Sequence, residues 1–142
     1  DSVLNNTEKL CRKIQRTEIS MENWKKQQFI QSKKEEETNM LKLGFSTLFL
    51  NRTNFSGVID GGVIGGFNQK GSSKLDCRFK KEEIIKRIRK IASYRDQIHL
   101  EKLDALDLIK KIKKTRNTIF AQCIKIMLAL DWELLSGICI CH

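Results

Sequence analysis

The chain has 142 residues, 40% of them apolar and 31% charged, a balance that supports one modest core and excludes a wholly disordered polymer. The formal net charge is +10 and the pI is near 9.5, which points to a polyanionic partner, either nucleic acid or an anionic membrane surface. A soluble basic protein with no such partner has the same charge. No run reaches the roughly 18 apolar residues that a membrane-spanning helix needs.

Residues 3–16 read as a short helix with Leu4, Leu10, Cys11 and Ile14 on its apolar side. Ser20 is placed to cap a second helix over 21–34, with Glu22 in its first turn and Trp24, Gln28 and Ile30 along it. The run from Lys33 to Glu37 is a solvated helix end or joint. A third helix follows from Thr38 to Leu50, and Leu41, Phe45, Leu48 and Phe49 form its buried stripe.

Residues 51–76 break the pattern. Six of the eight glycines fall between Gly57 and Gly71. Irregular segments this long are usually functional or disordered. Phe55, Val58, Ile59, Val63, Ile64 and Phe67 inside the segment argue against disorder. An amphipathic helix then runs from Lys80 to Tyr94, with Ile84, Ile85, Ile88, Ile91 and Ala92 inward and Lys86, Arg87, Arg89 and Lys90 outward. Residues 97–103 alternate like a strand, Asp104 caps a helix from Ala105 to about Lys113, and Thr118-Ile119-Phe120 opens a further strand. The tail from Ala121 to His142 is apolar and holds Cys123, Cys139 and Cys141. Cys139, Cys141 and His142 lack the two spaced ligand pairs of an ordinary zinc site, so no metal is expected. Five cysteines at irregular spacing, with no visible secretory leader, fit a reduced cytoplasmic protein.

The charge is uneven. Residues 51–90 carry 10 basic and 4 acidic groups, against 9 and 7 in residues 1–50. Gly61-Gly62 and Gly65-Gly66 allow a backbone to approach a ligand closely. No Gly-Lys-Ser/Thr follows, so this is not a Walker loop, and no predicted strand precedes it as in a dinucleotide fingerprint. Phe55, between Asn54 and Ser56, can stack on or wedge between bases, or equally anchor the loop in a core. Arg52, Lys70, Lys74, Arg78, Lys80 and Lys81 surround the loop, either as phosphate and base contacts or as a solvated face.

The stretch from Gly44 to Ile109, with Phe49-Leu50-Asn51-Arg52-Thr53-Asn54-Phe55-Ser56-Gly57, the glycines 61–66, Asp76-Cys77-Arg78-Phe79-Lys80 and Asp104-Ala105, closely resembles the DNA adenine methylase family. The resemblance covers about residues 2–120. It implies an α/β, Rossmann-like enzyme that transfers a methyl group from S-adenosylmethionine to adenine N6 in double-stranded DNA. Of that enzyme this chain resembles the target-recognition segment. By the same resemblance Asn51 and Arg52 frame the DNA-binding loop, Phe55 and Ser56 enter the duplex near the target base, and Arg78 lies on the DNA face. Asp104 and Ala105 correspond to the strand end that holds the cofactor's adenine ring.

The chain also departs from the family. Lys80 stands where Asn is usual, no Phe-x-Gly-x-Gly loop precedes residue 51, and a chain without proline contains no Asp-Pro-Pro-Tyr. That motif supplies the pocket for the flipped adenine. The expectation is therefore a truncated or frame-shifted methyltransferase piece, catalytically inactive alone. The alternative is a stand-alone nucleic-acid-binding module. The expected architecture is mainly helical, with an irregular or β-hairpin insertion and one or two remnant strands. Its parts are a helical lead-in (1–50), a recognition loop with its basic helix (51–95), a remnant strand-helix unit (96–120) and an aberrant tail (121–142).

Overall fold

The computed structural model describes residues 1–98 and Asp104. The chain divides into two compact units, Asp1–Ser93 and Tyr94–His142. The first holds five helices: α1 (Ser2–Asn5), α2 (Thr7–Arg16), α3 (Met21–Ser32), α4 (Met40–Thr53) and α5 (Lys81–Ala92). The described residues are thus mainly helical and contain no strand, and their only β pairing is an isolated antiparallel bridge between Asn54 and Val63. A hairpin insertion is not formed.

The amino-terminal helix is broken in two, because Asn6 leaves the helical region at φ −132° and ψ 30°. The break turns Ser2 onto α4, where its hydroxyl donates to the Met40 carbonyl. Gly44 permits the approach: a Cβ there would lie 2.2 Å from Ser2 Oγ. Helix α3 starts where its cap residue predicts, with Ser20 Oγ accepting from the Asn23 N–H at 3.3 Å. Lys33 to Glu36 form the turn that joins it to α4. Asn39 caps α4, accepting from the Lys42 N–H at 3.0 Å.

Helix α4 is the central element. Phe45, Phe49 and Leu50 are fully buried, and each contributes about 1.5–3 kcal/mol by leaving water. Leu10, Cys11 and Ile14 of α2, Trp24 of α3, and Ile84 and Ile88 of α5 complete the core. Three further members, Val63, Leu75 and Phe79, come from the segment between α4 and α5. Phe79 meets Phe49 with ring centroids 5.3 Å apart, so the far end of the glycine-rich segment is pinned to α4. The lead-in and the glycine-rich stretch therefore share one core.

Two of the differences from the sequence reading bear on the site and on the strand expected after α5. Helix α4 continues to Thr53, so Asn51 and Arg52 are helical rather than the start of the loop. Gln97 lies in a 3₁₀ turn, Arg95–Gln97, instead of opening a strand. Residues 99–103, the helix from Ala105, the strand at 118–120 and the tail with Cys139, Cys141 and His142 lie outside the described residues.

One exposed ion pair ties α2 to α5. Glu8 accepts two hydrogen bonds from the Arg89 guanidinium, both at 3.0 Å, and these hold its carboxyl below the ordinary value of 4.5. A depressed carboxylate stabilises the fold above its unfolded pKa and loses that contribution as pH falls through the folded one. Thermal melts from neutral pH down past about pH 4.5 should therefore show Glu8→Gln converging on the wild type in acid. A gap that widened as the pH fell would contradict the pairing.

Candidate functional site

The segment between Thr53 and Lys81 is organised by one side chain. Asn54 is 0% exposed. Its Oδ1 accepts from Trp24 Nε1 at 2.7 Å, and its Nδ2 donates to the carbonyls of Val58 and Ile59, both at 2.8 Å. Its backbone N–H donates to the Leu50 carbonyl at 2.8 Å, closing α4, and its own carbonyl accepts from the Arg78 guanidinium. All of its polar groups are satisfied, as a buried amide requires. On either side of it, Phe55 N–H donates to the Gly62 carbonyl at 2.8 Å and Ile64 N–H to the Thr53 carbonyl at 2.9 Å.

Asn54 has extended backbone, φ −92° and ψ 152°. Successive side chains of extended backbone point opposite ways, so burying Asn54 turns Phe55 outward. Phe55 is 73% exposed, and Val58 beside it is also exposed. Phe55–Gly57 form a tight 3₁₀ turn in which Ser56 takes φ 52°, uncommon for a residue with a side chain. Asn51 Nδ2 braces the turn by donating to the Gly57 carbonyl at 3.1 Å. The anchoring role open to Phe55 in the sequence reading thus belongs to Asn54, and the phenyl ring is presented to solvent.

Gln69 plays the corresponding part in the second half of the loop. Its Nε2 donates to the carbonyls of Ile64 and Gly66, both at 2.7 Å, and its Oε1 accepts from the Leu75 N–H at 2.9 Å. Gly65 sits at φ 83°, and a Cβ there would come within 2.6 Å of the Ser73 carbonyl oxygen. Glycine is needed at that point so that the loop can fold on itself. Phe67, though largely exposed, places its ring at 81° to Trp24 with centroids 5.7 Å apart.

The predicted residues separate into two groups. Phe55 and Ser56 are exposed together, as are Lys70, Lys74 and Lys80. Lys74 Nζ donates to the Gln69 carbonyl at 2.6 Å, and Lys80 lies 3.6 Å from Glu83. Asn51, Arg52 and Arg78 are half-buried, and Asn54 is buried. Asn51 and Asn54 bond the loop carbonyls, and Arg78 bonds the Asn54 carbonyl. Asp104 is exposed, and Ala105 lies outside the described residues. Among the described residues no three His, Cys, Asp or Glu side chains gather as metal ligands, and no helix is long and apolar enough to cross a membrane.

The sequence reading missed Gln69, Leu75 and Phe79. Leu75 and Phe79 stand four apart, a spacing that marks one face of a helical turn, and they were legible on that ground. Comparison with family models, curated proteins and solved structures gave no match.

Asn54→Ala would leave the Trp24 indole N–H and two loop carbonyls without their partner. Urea unfolding followed by far-ultraviolet circular dichroism should show a loss of about 2–4 kcal/mol. Asn54→Asp sets a buried carboxylate oxygen against the Val58 and Ile59 carbonyl oxygens and should cost at least as much. A loss under about 0.5 kcal/mol, the size of an ordinary surface substitution, would mean that the loop does not rest on this residue.

Proposed function

We propose that the loop following α4 is a duplex-DNA contact, and that the chain is the target-recognition part of an S-adenosylmethionine-dependent adenine-N6 DNA methyltransferase. The observation that carries the DNA contact is Phe55, a phenyl ring 73% exposed on a turn whose base is locked by a fully buried Asn54. A rigid mount lowers the entropy an exposed ring loses when it binds. A phenyl ring held this way can insert at a base step and unstack it. The exposed Lys70, Lys74 and Lys80 supply cations in the same segment for phosphates on either side. The assignment to adenine methylation rests on the resemblance alone, through Asn51 to Gly57 and Asp76 to Lys80.

In this reading the chain does not methylate DNA by itself. It contains no proline and hence no Asp-Pro-Pro-Tyr, the motif that polarises the amine of a flipped adenine in that family. When bound, S-adenosylmethionine supplies the methyl group. The part played by the chain's own residues is to grip the duplex and disturb the stack. The alternative, a non-catalytic nucleic-acid-binding module, draws on residues 1–93 forming one compact unit with its own core.

Fluorescence anisotropy with a labelled 20-base-pair duplex should report weak binding that falls steeply as salt rises, the mark of phosphate neutralisation. Phe55→Ala should weaken binding about tenfold and abolish the fluorescence rise of 2-aminopurine placed next to the contacted step, a loss of stacking worth about 1–3 kcal/mol. Binding that ignores both salt and Phe55 would sink the reading. Preference for one adenine-containing sequence over scrambled duplexes supports the methyltransferase assignment, and equal affinity for all supports the module. Methyl transfer by the chain alone would contradict the proposed division of labour.

A further inference from the structure

The charge maximum of the described chain is not the loop. Helices α2 and α5 together carry nine Lys and Arg against three Glu, a net of +6 of the chain's +10. The two helices are far apart in sequence but packed side by side. Glu8 pairs with Arg89 near one end, and Lys81 Nζ donates to the Gln15 carbonyl at 3.0 Å near the other. Residue numbers rise along α2 as they fall along α5, so the helices run antiparallel. Between them lies an open groove of about 530 Å³, floored by Cys11 and Ile85, with Arg12, Lys86 and Arg89 on its rim and Glu82 beside them.

Most of this charge is not neutralised within the fold. Lys9, Arg12, Arg16, Lys86, Arg87 and Lys90 are all exposed, and among the described residues none of them forms an ion pair. Only Arg89 is matched, by Glu8. Like charges held this close repel, and a fold keeps such a concentration at a cost in stability. At the helical rise of about 1.5 Å per residue the exposed cations from Lys9 to Arg16 on α2 and from Lys86 to Lys90 on the antiparallel α5 together span about 13 Å. A strand of duplex DNA presents one phosphate per roughly 3.4 Å of helix axis, so such a span matches about four phosphates.

We propose that the α2–α5 face is a second DNA-binding surface, one that holds the phosphodiester backbone without reading sequence, while the loop makes the base contact. This inference rests on the proposed reading of the loop as a duplex-DNA contact. It assigns most of the chain's electrostatic affinity to helices outside the glycine-rich segment.

The test uses the full chain and the triple variant Arg12→Gln/Lys86→Gln/Lys90→Gln. All three side chains are exposed, and circular dichroism should confirm that the helices are kept. Anisotropy with the same labelled duplex over a salt series should give a log K against log salt slope shallower by about 2–3 than the wild type, roughly 0.9 for each phosphate that is no longer neutralised. The Phe55-dependent 2-aminopurine signal at saturating protein should persist in the variant. An unchanged salt slope with a persisting 2-aminopurine signal overturns this proposal and leaves the loop reading standing. No binding of duplex by the wild type at low salt overturns both. The third arm uses vesicles of phosphatidylcholine and phosphatidylserine at three to one. Loss of vesicle binding in the variant, with DNA binding intact, overturns the proposal in favour of an anionic membrane surface.

Discussion

The buried side-chain amide of Asn54 is the constraint on which the rest of the candidate site depends. An amide taken out of water must find partners for both its oxygen and its nitrogen, and the partners it finds here come from two different places. The indole of Trp24 belongs to α3, and the carbonyls of Val58 and Ile59 belong to the loop itself. One residue therefore fixes how α4 ends, where α3 lies against it and how the chain turns back. The exposure of Phe55 follows from the same geometry, since its neighbour in extended backbone faces inward.

Glycine in this segment does more for the loop's own packing than for any ligand. Gly65 occupies a left-handed conformation against the Ser73 carbonyl, and Gln69 gathers the surrounding backbone groups. Leu75 and Phe79 then return the chain to the core beside Phe49. The loop is irregular yet internally bonded, which separates it from a flexible linker of similar composition. Among the described residues the largest concentration of positive charge sits elsewhere, on α2 and α5.

Much of the helical framework was legible. The stripe of Phe45 and Phe49, the Ser20 cap and the inward Ile84 and Ile88 all follow from local periodicity and capping chemistry, which the chain expresses within a few residues. The break at Asn6 was not, because nothing in the hydrophobic pattern changes there. The burial of Asn54 was also hidden. In Asn51-Arg52-Thr53-Asn54 the residues look alike as polar surface, and only a partner thirty positions away, Trp24, distinguishes the last of them. Arg78 also bonds the Asn54 carbonyl, a contact that sequence spacing does not reveal. The antiparallel pairing of α2 with α5 joins residues about eighty positions apart, so the two helices' charge stands in the sequence as separate, ordinary runs.

The loop is held in its folded form by the chain's own bonds, through Asn54 and its flanking bridge. The most direct test is native-state amide hydrogen exchange at Phe55 and Ile64, whose N–H groups donate to Gly62 and Thr53. Both amides should be protected to the same degree as those in the middle of α4, because opening the bridge requires disrupting the buried amide network. Exchange at the rate of an unstructured peptide, with α4 still protected, would show a loop that is not pre-formed and would contradict the account.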